Sequence, residues 1–201
     1  MHRGLGGFLL VMAIGLMAGN AGAAQTASTK YTYYPINGSS ARELDNAMYR
    51  QGPRVAGQHA YASTRFQFGW EALMRQGKTC RPEKFTLKTN FIIRLPKLAS
   101  KAGLSQGVAS RFASFASFAR RHEETHRTIW QECGRRAERA VQGLSVKSCG
   151  ALSAAITSTL KRTLGSCEAR HAAFDAAEQK RLARHPFIVS ALARPAKKRR
   201  K

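Results

Sequence analysis

The strongest constraint on the fold is a change of hydrophobic period in the middle of the chain. Phe85, Leu87, Thr89, Phe91, Ile93 and Leu95 hold one parity, while Lys84, Thr86, Lys88, Asn90 and Arg94 hold the other. That alternation predicts a strand with one face on a core, ended by Pro96. From about Gln106 the period becomes helical, and Phe112, Phe115, Ala119, Ile129, Cys133 and Val141 fall at three- and four-residue intervals. A long amphipathic helix should therefore lay its apolar stripe on a sheet. His122 and His126 fall on the same stripe.

The flanking segments complete an α+β domain. Thr32 to Ile36 reads as extended, and Ser40-Ala41-Arg42-Glu43 matches a capping box opening a helix through Leu44, Ala47 and Met48 to Gly52-Pro53. Thr64, Phe66, Phe68 and Trp70 alternate with polar residues or glycine, which predicts a strand pairing with the 84–95 run, and Gly77 lies in the connection. After a turn at Gly143-Leu144-Ser145, a second helix is expected from Ser148 through Leu152, Ile156, Leu160 and Leu164, continuing through Phe174 to Leu182. The expected architecture is a small antiparallel sheet packed on the long helix and on a returning antiparallel helix.

The ends of the chain point to export. Met1-His2-Arg3 is a basic start, Leu5 to Met17 is apolar apart from glycines, and Ala21-Gly22-Ala23 is a small-x-small cleavage site, so residues 1–24 read as a signal peptide. The apolar stretch is shorter than the roughly 20 residues that a spanning helix needs, and no later segment reaches that length. After cleavage no transmembrane segment is expected, and the location is periplasmic or secreted. Residues 25–190 would form one domain. Residues 191–201 read as a disordered basic tail, because Arg194 to Lys201 carries six positive charges and almost nothing to bury.

The formal net charge of +23, from 34 Lys and Arg against 11 Asp and Glu, predicts attraction to anionic surfaces, with Arg194–Lys201 as its densest part. No motif supports sequence-specific reading of nucleic acid. Cys80, Cys133, Cys149 and Cys167 have no CxxC spacing, and in an exported chain four cysteines favour disulfides over metal. Three connectivities are open. Were Cys149 and Cys167 on one continuous helix, they would stand roughly 27 Å apart, which disfavours that pair.

His122-Glu123-Glu124-Thr125-His126 is an HExxH motif. On a helix the two imidazoles lie one turn apart and can reach one Zn²⁺ ion, while Glu123 projects beside them as a general base. A catalytic zinc site needs a third protein ligand and keeps its fourth position for water. With a turn near Ser145, residues 167–175 of the returning helix should face the motif. His171 is the expected third ligand, with Glu168 and Asp175 as alternatives on the same face.

These residues resemble the bacterial secreted zinc-dependent proteases grouped by sequence as domain of unknown function 922. The resemblance spans most of the mature chain. It rests on Tyr33-Tyr34-Pro35-Ile36-Asn37-Gly38, Gly52-Pro53, Thr64 to Trp70, Cys80, Leu95-Pro96, the HExxH motif, Cys149 and Phe174-Asp175. It implies a zincin-like α+β domain with His122 and His126 as zinc ligands and Glu123 as the catalytic base. It also implies a Cys80–Cys149 bridge, leaving Cys133 and Cys167 as a second pair. Thr125 stands where the family commonly has glycine, and Lys180-Arg181 stands where it has histidine and glycine. A third ligand such as His171 or His185, or a loss of catalysis, follows if the family ligand is that histidine. The expected function is a zinc-dependent endopeptidase acting on peptide or protein substrates. The alternative is a noncatalytic exported binding protein whose basic surface engages an anionic partner of the cell envelope or a nucleic acid.

Overall fold

A computed structural model describes residues 26–193, so the expected leader at 1–24 and the basic run at 194–201 lie outside the described residues. The fold is α+β. In chain order it comprises β1 (Thr26–Ile36), α1 (Ala41–Gln51), the short strands β2 (Arg54–Val55) and β3 (Gln58–His59), β4 (Ser63–Gln76) and β5 (Cys80–Leu98). The helices α2 (Gln106–Gln142), α3 (Cys149–Gly165), α4 (Glu168–Ala183) and α5 (Pro186–Leu192) follow. No helix among the described residues is long and apolar enough to cross a membrane.

The sheet runs β1-β5-β4. β4 and β5 form the expected antiparallel pair, but β1 joins β5 in parallel, so the sheet is mixed rather than wholly antiparallel. A parallel pairing needs a long crossover. Here α1, the β2-β3 hairpin and β4 all lie between the two strands and supply it.

The predicted stop at Pro96 is not observed, because β5 continues to Leu98. The reason is local. β4 pairs with β5 only as far as Ser63 opposite Arg94, so Pro96 has a single neighbour, Tyr34 of β1. Pro82 lies at the other end, opposite Met74 beside a register shift and before β1 begins at Lys88. Both prolines therefore sit where the central strand has one open edge, and the missing N–H leaves no ladder bond broken.

Ser40 caps α1 by accepting from the Glu43 N–H. The Glu43 carboxylate accepts from the Ser39 N–H at 2.7 Å and from the Ser39 hydroxyl at 2.8 Å, so the reciprocal half of the box is displaced by one residue. At Gly52 a Cβ would stand 2.5 Å from both Met48 O and Ala60 O, which explains why glycine ends this helix.

Two apolar clusters grip α2. Toward its N-terminal end Phe112 and Phe115 pack with Ile36, Leu44, Met48 and Phe187, bringing β1, α1 and α5 together. Toward its C-terminal end Cys133, Ala137 and Val141 pack with Leu87 of β5 and with Leu152 and Ile156 of α3. The β5 parity is as the alternation requires, with Phe85, Leu87, Phe91, Ile93 and Leu95 buried.

The second expected helix is broken. α3 ends at Gly165, Ser166 and Cys167 form a turn, and α4 begins at Glu168. The turn is fixed on both sides: the Ser166 hydroxyl donates to Thr163 O at 2.7 Å, and Cys167 is buried and bonded to Cys133 of α2. The second disulfide joins Cys80 to Cys149. The basic tail cannot start at residue 191, because α5 runs to Leu192 and packs Phe187, Ile188 and Ala191 into the N-terminal cluster.

His171 is the one buried residue of α4, so this helix depends on its ends. The Cys133–Cys167 bond spans 34 residues, and closing a loop of that size stabilises by about 3–4 kcal/mol at most. Replacing both cysteines with alanine is expected to lower the urea midpoint accordingly and to speed amide exchange in α4 more than in α3. Unchanged protection of α4 would show that the bridge does not tether it.

Candidate metal centre

The site lies midway along α2, between the two clusters. Its backbone position is set by one row across the sheet. Tyr31 of β1 and Thr64 of β4 both pair with Ile93 of β5, so the three side chains share the face toward α2. The Thr64 hydroxyl lies 2.9 Å from the Glu123 carboxylate and 2.9 Å from the Glu123 carbonyl. Across the sheet, the Tyr31 hydroxyl donates to Glu124 at 2.7 Å, and Arg120 donates to the same oxygen at 2.9 Å. The motif's two glutamates are thus tied to opposite edge strands.

His122 and His126 project from α2 toward α4, where Asp175 meets them. His126 Nε2 is 2.9 Å and His122 Nε2 3.2 Å from Asp175 Oδ1, and the two nitrogens are 3.0 Å apart. Three atoms this close form one face of a coordination polyhedron. A tetrahedral ion with bonds of about 2.0–2.1 Å sets its ligand atoms roughly 3.3 Å apart, and two imidazole nitrogens with one carboxylate oxygen are donors that suit zinc. The residues present fit such an ion.

Asp175, one of the two alternatives, therefore supplies the third converging atom in place of His171. One turn earlier on α4, His171 instead directs Nδ1 at His126 Nδ1, 2.8 Å away. One of these nitrogens must carry the proton. Protonation of His126 Nδ1 leaves its Nε2 lone pair facing Asp175 and His122, and it places the His171 proton on Nε2, a buried atom without a partner among the described residues. Trp130 covers His171 at 4.5 Å between ring centroids and stacks on Phe66 of β4 at 4.4 Å. The sheet thus supports Trp130, then His171, then His126. Burial holds His126 down to about 4 and keeps His122 and His171 below the usual histidine range, so all three rings are neutral at neutral pH.

Glu123 is 5% exposed. Burial raises its carboxyl from 4.5 to about 7, against the Thr64 hydrogen bond, which favours the ionised form, and with a further push from the Asp175 charge. It opens on a cleft of about 310 Å³ also lined by His122, Asp175, Tyr61, Phe118 and Leu182. Glu168 is exposed at the start of α4 and stays outside the converging group. His185 is used elsewhere, accepting from Phe187 N–H at 3.2 Å to cap α5. Thr64 is legible in the sequence only as a strand residue, and no pattern there singles out Tyr31. Their signal was the parity that puts Thr64 on the face of Phe66, combined with a strand register that a single sequence does not display.

The family described as "Bacterial protein of unknown function (DUF922)" matches residues 31–183, which include every residue of the site, and the chain belongs to it. No curated protein and no solved structure matches the chain.

The raised Glu123 carboxyl has a defined effect on the metal-free protein. A carboxyl whose folded value exceeds its unfolded value contributes its full stability below about 4.5 and loses it as pH rises through about 7. Glu123→Gln should therefore stabilise the chelator-treated protein by about 3 kcal/mol at pH 8 and by almost nothing at pH 4. Urea unfolding at both values checks this, and an equal difference at the two would remove the assigned cause.

Proposed function

We propose that the protein is an exported zinc-dependent endopeptidase. The observation that carries this reading is the convergence of His122, His126 and Asp175 within 3.2 Å, beside a buried glutamate raised to about 7. His122 and His126 would hold zinc through neutral Nε2 atoms and Asp175 through Oδ1. When bound, zinc supplies Lewis-acid polarisation and lowers the pKa of water.

The chain's own residues would do the following. Glu123 takes a proton from the attacking water, whose oxygen bonds to the scissile carbonyl carbon. The same carboxyl then gives that proton to the departing nitrogen as the C–N bond breaks, leaving an acid and an amine. Without an ion this carboxyl sits near neutrality, and a cation beside it would favour the ionised form that accepts the proton. Thr64 orients the Glu123 carboxylate, and His171 acts as a positioning residue that fixes the His126 tautomer. β4 carries Thr64 and has no partner on its outer edge among the described residues, so an extended substrate can pair with it next to the site. The two disulfides accord with an oxidising compartment.

Protein purified without a chelating tag should contain close to one zinc per chain and cleave an unfolded protein substrate, with phenanthroline abolishing cleavage. Glu123→Gln should retain the metal and lose on the order of 10²- to 10⁴-fold in rate. Full activity in that variant refutes the assigned base. Bound zinc with no cleavage by the parent protein would favour a noncatalytic exported binding protein. Separately, His171→Ala should weaken zinc affinity roughly 10- to 100-fold, whereas Glu168→Ala should leave it unchanged in a competition titration.

A further inference from the structure

A second groove, of about 510 Å³, adjoins the site and shares Phe118, His122 and Glu178 with the cleft that holds Glu123. His122 thus stands between two recesses. The first contains the base and is walled largely by apolar and aromatic side chains. The second is lined by three arginines, Arg121 of α2, Arg181 near the end of α4 and Arg184 just beyond it. Glu178 is the one carboxylate among its lining residues, and Arg181 already holds it at 2.9 Å. Arg121 and Arg184 have no ion-pair partner among the described residues. His185 also lines the groove, and burial together with the Arg121 charge keeps it below the usual histidine range, so the excess charge there belongs to the arginines.

We propose that this groove binds a carboxylate of the peptide substrate close to the bond that is cut, supplied by an Asp or Glu side chain or by the substrate's own C-terminus. The proposal rests on the peptidase reading and names its substrate class. A guanidinium presents paired N–H donors that match the two oxygens of a carboxylate. Two arginines without an ion-pair partner, lining the same groove as His122, therefore favour an anionic group on this flank of the site, which the diffuse positive charge of the chain cannot do. That diffuse charge draws anionic substrates in over longer range. The recess beside Glu123 has no such cation in its lining, so acidic residues on that flank should confer no advantage.

The test uses the zinc-loaded protein and fluorescent peptides of one neutral backbone, carrying either Glu or Gln at each position in turn and ending in either a free acid or an amide. Anisotropy at 0.15 M salt should show the best Glu peptide binding on the order of tenfold more tightly than its Gln counterpart. Arg121→Gln with Arg184→Gln should reduce that ratio to about twofold or less. Lys161→Gln with Arg162→Gln, an equal loss of charge on the exposed side of α3, should leave the ratio intact. A preference that survives C-terminal amidation identifies a side chain, and one that vanishes identifies the terminal carboxylate. Equal binding of Glu, Gln, acid and amide peptides overturns the proposal, as does an equal loss in the α3 variant, which would assign the effect to bulk charge. If no peptide is cut but acid selectivity is lost only in the Arg121 and Arg184 variant, the groove stands and the peptidase reading falls. Cleavage without acid preference gives the reverse.

Discussion

The row formed by Tyr31, Ile93 and Thr64 fixes the motif segment of α2 in space, and the site inherits its geometry from that row. Ile93 is fully buried and packs in a small cluster with Ala119, one turn before the motif. On either side of it the hydroxyls of Tyr31 and Thr64 hold Glu124 and Glu123. Successive residues of a helix point about 100° apart, so two adjacent glutamates can reach two outer strands only if the helix lies over the central one. β5 has to be that central strand. Its length and its two tolerated prolines follow from having a neighbour on each side only in its middle.

A row of polar contacts would not hold a 37-residue helix by itself. The apolar clusters at either end do so, since each fully buried Phe, Leu or Ile contributes roughly 1.5–3 kcal/mol. Between them lies the interval that carries Glu123, while the other buried glutamate of α2, Glu138, sits beside the C-terminal cluster and accepts from the Leu87 N–H at 3.4 Å. The cost of burying Glu123 falls on a helix already anchored from two directions, which is how its carboxyl can be held at about 7 inside the fold.

Much of this was legible in one sequence, and the failures share a cause. The parity of β5, the stripe of α2 and the facing of residues 167–175 onto the motif all follow from period and length, which are local properties. That Asp175 rather than His171 converges with Nε2 of both motif histidines does not, because it depends on how α4 is rotated after the break at Ser166 and Cys167. An unbroken helix carries no such rotation. The break is imposed by a bond to Cys133, 34 residues away, and by the burial of Cys167. In the same way, the continuation of β5 through Pro96 depends on where β4 stops pairing, and the parallel pairing of β1 depends on a partner more than 60 residues distant.

The aspartate beside the two histidines also acts on Glu123. A chain with 11 acidic residues against 34 basic ones has few carboxylates to place, and most of those described here are tied to a basic side chain, a hydroxyl or a backbone N–H. Asp175 stands apart in meeting two neutral imidazoles, while its charge raises the Glu123 carboxyl. A third histidine would supply no negative charge to act on Glu123. Asp175 therefore does two things through one carboxylate: it brings a third donor atom to the two imidazoles, and its charge raises the neighbouring Glu123 carboxyl.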